Sequence, residues 1–105
     1  MPSKPKRART ERREALRNQE RLGRDRERLF AREPGGSPEH PLELDSASVV
    51  EVRAKASRCP RCGGEHVVEE HRAVEHGGAR LREARLVCRT CGSRRSMWFR
   101  LPVLN

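Results

Sequence analysis

The chain has 105 residues, of which 37% are charged, 33% are hydrophobic and only 3% are aromatic. This composition excludes one hydrophobic core that spans the whole chain, so we expect a single small domain with flanking segments. The formal net charge is +9, and arginine supplies 21 of the 24 basic residues. Such a basic chain favours nucleic acid as a partner, although arginine richness can also reflect coding bias.

No stretch is apolar enough to span a membrane, and no apolar secretory segment follows the basic N-terminus. We therefore expect a cytoplasmic protein with no membrane partner. Cysteines stay reduced in that compartment, which favours metal binding over disulfide formation.

Residues 1–33 form a basic, arginine-rich segment with 12 Lys or Arg against 6 Asp or Glu. Thr10 can cap a helix over residues 11–32, which the Pro-Gly-Gly sequence at 34–36 would end. We predict that this segment is helical in part, with fraying or disorder over residues 1–9.

The predicted helix has only a narrow apolar stripe, in which Ala15, Leu22 and Leu29 recur at intervals of seven. Gly23 weakens the helix by roughly 1 kcal/mol, and a solitary helix of this kind is marginal in water. The segment is either a basic arm that folds on a nucleic-acid backbone or a solvated segment without a partner.

Residues 34–46 are expected to be an acidic linker with three prolines, two glycines, three acids and no base. The spacing of the prolines forbids a helix and discourages a strand. His40 is then expected to be a solvated linker histidine.

Residues 47–105 are predicted to form the folded domain, with 12 bases and 6 acids. Residues 48–54 are rich in valine and resemble a strand. A final strand is predicted over residues 94–101, because apolar side chains alternate there with polar or aromatic ones.

Gly77-Gly78 is a two-residue hairpin turn signal between the extended runs 65–76 and 79–87. A register centred on this turn places three opposite-charge pairs and two aliphatic pairs directly across the strands, each contributing roughly 0.2–1 kcal/mol. The predicted pairs are His76–Ala79, Glu75–Arg80, Val74–Leu81, Arg72–Glu83, Glu70–Arg85 and Val68–Val87.

Four cysteines occur in two C-x-x-C-G units, Cys59-Pro60-Arg61-Cys62-Gly63 and Cys88-Arg89-Thr90-Cys91-Gly92. Two such turns supply four soft ligands, which indicates one structural Zn²⁺ site at Cys59, Cys62, Cys88 and Cys91. The glycine after each pair suits a backbone with positive φ. Four thiolates on a divalent ion carry a net charge of −2, which nearby arginines would reduce: Arg58, Arg61, Arg89 and Arg94.

The order strand, C-x-x-C-G turn, long hairpin, C-x-x-C-G turn, strand resembles the zinc ribbon family over about residues 57–101. This resemblance implies a small metal-stabilised β fold with zinc at the four cysteines and a three-stranded antiparallel sheet. Zinc ribbons occur in transcription factors, RNA polymerase subunits, ribosomal proteins, primases and antitoxins, so the resemblance is specific for the fold and poor for the function.

Alternatives to structural zinc are a redox dithiol or rubredoxin-like iron. A redox dithiol needs a βαβ context that the flanks lack, and rubredoxins are typically acidic and rich in aromatic residues. Four cysteine ligands leave no open position for water, so we expect no enzyme activity at the metal. His66, His71 and His76 recur every five residues along one strand, which places neighbours on opposite faces unless a bulge intervenes. His66 is the alternative candidate for a zinc ligand.

A candidate nucleic-acid surface combines arginines with an aromatic side chain, as in surfaces that bind single strands. Phe99 and Trp98 can instead fill the thin core of the domain. The candidate residues are Arg89, Arg94, Arg95, Trp98 and Arg100.

The sequence thus predicts a non-enzymatic zinc-ribbon protein that binds nucleic acid, or a transcription or translation assembly, through a basic surface. The alternative is an adaptor for another protein, with a purely structural zinc. In that case an exposed strand edge, or the stripe of Leu16, Leu22 and Leu29, would contact the partner.

Overall fold

The computed structural model describes residues 7–102 and shows two helices, a short 3-10 turn and four strands in that range. In chain order these elements are α1 (Ala8–Arg32), β1 (Leu42–Glu43), the 3-10 turn (Ala47–Val49), α2 (Val50–Ala56), β2 (His66–His76), β3 (Ala79–Cys88) and β4 (Arg94–Arg100).

Helix α1 begins earlier than the sequence predicts. Arg7 occupies the N-cap position and Thr10 lies inside the helix, so the predicted Thr10 cap is wrong. The helix ends where expected, because Glu33 precedes Pro34 and adopts the extended backbone that a following proline favours. Of the residues expected to fray, 8 and 9 are helical and 1–6 lie outside the described part of the chain.

The strands form one mixed sheet in the order β1-β4-β3-β2, in which β1 runs parallel to β4 and the other neighbours are antiparallel. The three-stranded antiparallel sheet expected from the sequence is therefore extended by a fourth strand. That strand comes from residues 34–46, where we expected an irregular linker. Leu42 pairs with Phe99, and Glu43 pairs with Arg100.

Backbone hydrogen bonds from residues before and after β1 explain why this proline-rich segment runs alongside β4. The amide of Trp98 donates to the carbonyl of Gly35 over 2.9 Å, and the amide of Leu44 donates to the carbonyl of Arg100 over 3.0 Å. The edge of β4 would otherwise leave these groups without a protein partner. The side chain of Leu42 also packs against the hydrophobic core.

The β2–β3 hairpin turns at Gly77-Gly78, as predicted, and five of the six predicted cross-strand pairs are present. The sixth is wrong, because the register shifts between Val68 and Glu70, so Val68 pairs with Leu86 and Val67 pairs with Val87. The bulge also affects the histidines. His66 now lies opposite Cys88 and His71 opposite Ala84, so these two histidines share one face of the sheet.

Residues 48–54 are not a strand, which corrects the prediction from their valines. Val50 and Ala54, four residues apart, point from α2 into the core and are fully buried. Val52 faces outward and is 66% exposed. The local β propensity of valine is overridden because the sheet needs an apolar cover on this face.

That face, called the covered face, carries the buried core residues of the sheet: Ala84, Leu86, Met97 and Phe99. Phe30 near the end of α1 packs against the same cluster. Strand β4 alternates as predicted, with Met97 and Phe99 buried and Arg100 exposed. Trp98 lies on the opposite face, where it is half-buried and pairs with Glu83.

Candidate metal centre

The four cysteine sulfurs lie within 4.8 Å of one another, between the two C-x-x-C-G turns. The Sγ atoms of Cys59 and Cys91 are 3.7 Å apart, and those of Cys62 and Cys88 are 3.4 Å apart. A tetrahedral zinc ion with bonds of about 2.3 Å to sulfur needs sulfurs separated by about 3.8 Å. The four cysteines are therefore positioned to bind a metal ion.

The two turns, called the first knuckle (residues 59–64) and the second knuckle (residues 88–93), close with the same hydrogen bonds. The amide of Gly63 donates to the carbonyl of Cys59 over 2.8 Å, and that of Gly92 donates to Cys88 over 2.9 Å. Both glycines have positive φ, 76° and 74°, as the sequence predicts. Each knuckle thus presents its two sulfurs in the same way.

Gly64 is a residue of the site that the motif did not identify. A Cβ atom at Gly64 would lie 2.6 Å from the Thr90 hydroxyl oxygen and 2.9 Å from the Cys88 sulfur. The backbone of the first knuckle therefore approaches the second knuckle too closely for any side chain. The only signal in the sequence is the second glycine after Cys62, which the C-x-x-C-G motif does not require.

Hydrogen bonds favour the thiolate at Cys59. Burial alone would raise its pKa, but contacts from the Ser93 hydroxyl and from the backbone amides of Cys62 and Arg61 lower the pKa of Cys59 to about 6. Ser93 Oγ lies 3.4 Å from the Cys59 sulfur and 3.0 Å from the Cys91 sulfur.

Cys62 behaves in the opposite way. A backbone hydrogen bond from Gly64 lowers its pKa, but the neighbouring sulfurs, first that of Cys88, raise the pKa of Cys62 to about 12. Four thiolates cannot gather at these distances without a cation to neutralise them. A divalent metal ion supplies that charge, so the donor set fits a metal that binds thiolates.

The arginines beside the cysteines, which were expected to reduce the charge of the sulfurs from outside the ligand set, each form an ion pair with a glutamate. Arg58 and Arg89 lie 3.9 and 4.0 Å from Glu65, and Arg94 lies 2.9 Å from Glu69. Arg61 lies 3.3 Å from Glu27 of helix α1.

The cation next to the site is instead Arg95, whose side chain is only 5% exposed. Its guanidinium donates to Ser93 Oγ over 2.7 Å and forms an ion pair with Glu27. Burial would lower the pKa of Arg95, but Glu27 and the thiolate of Cys59 raise it. Hydrogen bonds thus run from the sulfurs through Ser93 and Arg95 to helix α1.

His66 does not join the cysteine cluster. Its Nδ1 lies 2.9 Å from the carbonyl of Ser57, and its Nε2 faces the guanidinium of Arg95. An Nδ1–H that donates to Ser57 leaves Nε2 to accept from Arg95, which describes a neutral ring. Burial lowers the pKa of His66, in agreement with that state. With both nitrogens engaged, His66 acts as a support for Arg95.

Helix α1 meets the first knuckle through three residues on one side. Arg26 donates to the backbone carbonyl of Arg61 over 3.5 Å, and the side chain of Arg61 donates to the carboxylate of Glu27. A Cβ atom at Gly23 would lie 3.2 Å from the Arg61 guanidinium, so the glycine allows the helix to pass closely. Gly23 is the only buried residue of α1 in the described range. From the sequence, Gly23 was expected only to weaken the helix. In the structure it is the position at which α1 contacts the side chain of Arg61.

The five candidates for nucleic-acid contact are divided between the two faces and the end of the sheet. Arg94, Trp98 and Arg100 lie on one face of β4, where Arg94 and Arg100 pair with glutamates. Arg89 lies in the second knuckle and is exposed. Arg95 lies on the covered face in its ion pair with Glu27 and does not face solvent.

No protein-family model, curated protein or solved structure matches this chain. No helix in the described range is both long enough and apolar enough to cross a membrane. The function proposed below therefore rests on the residues of this chain alone.

Proposed function

We propose that this protein is a non-enzymatic zinc protein of the zinc-ribbon type. In this proposal it binds nucleic acid, or a transcription or translation assembly, through an arginine-rich surface. The four sulfurs at tetrahedral spacing support zinc, because Zn²⁺ prefers thiolate ligands and tetrahedral geometry. One zinc ion would hold the two knuckles together and so join the start of β2 to the end of β3.

Four protein ligands argue against catalysis at this metal. A catalytic zinc keeps one position open for water or substrate, and this site supplies all four ligands from cysteine. The role of the metal in the proposal is structural. Binding of zinc to such small domains contributes on the order of 10 kcal/mol, which becomes folding free energy.

Exposed arginines are the observation that carries the nucleic-acid part. Helix α1 and its N-cap contain ten arginines, all of them exposed. Outside the helix, Arg94 and Arg100 are exposed on the opposite face of the sheet with the half-buried Trp98, and Arg89 is exposed in the second knuckle. Arginine recognises phosphate through paired N–H donors, which is the chemistry that a polyanion requires.

The test is fluorescence anisotropy with labelled oligonucleotides, using the metal-loaded full-length protein in a salt series from about 50 to 200 mM. We expect the logarithm of the association constant to fall linearly with the logarithm of salt concentration, because each phosphate contact releases counterions. Binding that does not respond to salt, or no binding at low salt, would contradict the proposal.

The second candidate is a protein-interaction adaptor, which the exposed leucines of α1 favour. Leu16, Leu22 and Leu29 are 62%, 53% and 59% exposed. Strand β2 also forms an edge of the sheet over eleven residues, which offers unpaired backbone groups to a partner strand. Replacing Leu22 and Leu29 with glutamine distinguishes the two candidates, because it would abolish binding to a protein partner and leave nucleic-acid binding intact.

A further inference from the structure

The arginines of helix α1 are concentrated on one face. Six of them follow one another at intervals of four, four, three, four and four residues, the spacing that places side chains on the same side of a helix. All six are exposed. They are called the arginine stripe: Arg13, Arg17, Arg21, Arg24, Arg28 and Arg32.

The stripe is nearly free of acidic residues. At about 100° per residue, the six arginines span an arc of about 100° around the helix. The other helical positions in that arc are Thr10, Glu14 and Ala31, so the arc has six positive charges and one negative charge. Two more acids, Glu20 and Asp25, lie about 20° outside the arc, one at each margin. Arg28 lies 3.8 Å from Asp25, but both side chains are exposed, and such a pair contributes little.

The rest of the protein holds the helix with the stripe turned outward. The residues that contact the first knuckle and the core, Gly23, Glu27 and Phe30, lie within about 60° of one another, and the middle of this group is about 120° around the helix from the middle of the stripe. Glu27 is fixed by Arg61 and by the buried Arg95. The direction of the stripe is therefore set by contacts with the metal centre.

The sheet offers no comparable surface in the described range. Most of its exposed arginines pair with glutamates on neighbouring strands, as Arg72 pairs with Glu83 at 2.9 Å and Arg85 with Glu70 at 3.4 Å. These carboxylates neutralise the arginines locally. An external polyanion gains more from the stripe, where the positive charges stand together.

The length and chemistry of the stripe select the kind of polyanion. From Arg13 to Arg32 the helix rises about 28 Å, and a DNA duplex carries about one phosphate charge per 1.7 Å of its axis. The stripe contains no aromatic side chain on which the bases of a single strand could stack. A helix about 10–12 Å across fits the major groove of B-form DNA, which is about 12 Å wide, but not the narrow major groove of RNA.

Ala15, Leu22 and Leu29 form an apolar flank of α1 away from the stripe. The helix therefore has one continuous row of arginines, which can contact one strand of a duplex. We propose that the arginine stripe binds the phosphates of one strand of double-stranded DNA, with α1 lying along the mouth of the major groove. This inference rests on the proposed function and names its partner and surface. Contacts to phosphates position a protein without reading bases, so binding is independent of sequence.

The test compares two triple variants of the metal-loaded full-length protein that lose the same charge. The stripe variant carries Arg17→Gln, Arg21→Gln and Arg24→Gln. The matched control removes three exposed arginines outside the stripe, with Arg12→Gln, Arg53→Gln and Arg80→Gln. Anisotropy is measured with duplex DNA, single-stranded DNA and duplex RNA of about 20 residues per strand over the salt range given above.

We expect the stripe variant to reduce the slope of log affinity against log salt on duplex DNA by about 2.7, at about 0.9 for each lost contact. The control should change that slope by less than about 1. Circular dichroism checks that both variants keep the helix. An equal reduction of the slope in the two variants would show that the stripe is not the binding surface. Tighter binding of the unaltered protein to single-stranded DNA or duplex RNA would show that duplex DNA is not the partner. If the unaltered protein binds none of the three, the proposed function itself is wrong.

Discussion

The sheet and the long helix use arginine in two different ways. In the sheet, arginines lie across from glutamates on neighbouring strands, in pairs such as Arg72–Glu83 and Arg100–Glu43. In α1, arginines recur on one face and the acids lie mostly elsewhere on the helix. The same residue type therefore stabilises strand register in one region and leaves a concentrated positive charge in the other. The net charge of +9 alone does not distinguish these two roles.

The two regions also differ in what stabilises them. The core of the sheet is small, and the two knuckles at its end bring four sulfurs together. Helix α1 is exposed along most of its length and touches the rest of the protein at Gly23, Arg26, Glu27 and Phe30. We therefore expect the sheet to depend on metal and the helix to depend on a few side-chain contacts.

Metal removal should have the largest effect, and it should act on the sheet first. Chelation, or Cys88→Ser, is expected to remove on the order of 10 kcal/mol of folding free energy, because the free energy of metal binding, which holds the two knuckles together, is lost. The circular dichroism spectrum of the metal-free protein should lose its β-sheet signal. Thr90→Ser, between two ligands of the same knuckle, serves as the control and should retain it. An unchanged sheet signal after complete removal of metal would contradict the structural role of the ion.

Glu27→Gln should have the next largest effect, and it tests the attachment of the helix. Arg95 would keep its buried charge without a counter-ion, which is expected to cost about 3 kcal/mol in urea unfolding of the metal-loaded protein. Glu20→Gln, on an exposed residue of the same helix, is the matched control and should cost less than about 0.5 kcal/mol. Equal costs would mean that α1 is not held through Glu27.

Local features made the cysteine cluster and the hairpin predictable. The spacing of the cysteines indicated the cluster, and Gly77-Gly78 together with the opposite charges fixed most of the β2–β3 register. The bulge at Val68/Glu70 has no comparable signal, so the last predicted pair was wrong. The same bulge places His66 and His71 on one face, which regular alternation along the strand excluded.

Features that depend on distant contacts could not be read from the sequence. Residues 48–54 have strand-forming valines, but Val50 and Ala54 are needed to cover the sheet from a helix. Arg95 is an intermediate case. Its separation by two from Met97 along β4 places it on the covered face, so its burial could have been predicted. Its partner Glu27 is 68 residues away, and no local pattern connects them.

Glu83→Gln tests the pairing of charges within the sheet. Glu83 is 8% exposed and accepts hydrogen bonds from Arg72 over 2.9 Å and from the Ser96 hydroxyl over 2.8 Å. Loss of its charge is expected to cost about 1–2 kcal/mol in urea unfolding. Glu75→Gln, in an exposed pair near the hairpin tip, is the control and should cost less than about 0.5 kcal/mol. A cost at Glu83 no greater than that at Glu75 would mean that buried pairs do not stabilise the sheet.

The pH dependence of this contribution has a definite sign. Burial would raise the pKa of Glu83, but Ser96 and Arg72 lower it below the ordinary value of 4.5. The contribution is therefore present above pH 4.5 and is lost as the pH falls through the pKa of the folded state. The difference in stability between the unaltered protein and Glu83→Gln should shrink on acidification in that window. A constant difference would contradict the lowered pKa.

Gly23→Ala should have the smallest effect, and it measures how closely the helix approaches the first knuckle. Alanine in a helix is favoured over glycine by roughly 1 kcal/mol. The new Cβ would lie 3.2 Å from the Arg61 guanidinium, the flexible end of a side chain that can move by a few tenths of an ångström. We expect a net gain of less than about 1 kcal/mol.

Ala15→Gly, the reverse change at an exposed position of the same helix, gives the intrinsic difference between the two residues. If α1 contacts the knuckle as described, the gain from Gly23→Ala is smaller than the loss from Ala15→Gly. Combining Gly23→Ala with Glu27→Gln should restore the full gain, because the freed helix no longer presses against Arg61, and the two effects are then not additive. Additive effects, with equal gain and loss, would mean that the helix is independent of the sheet in solution. In that case the metal centre would not set the direction of the arginine stripe.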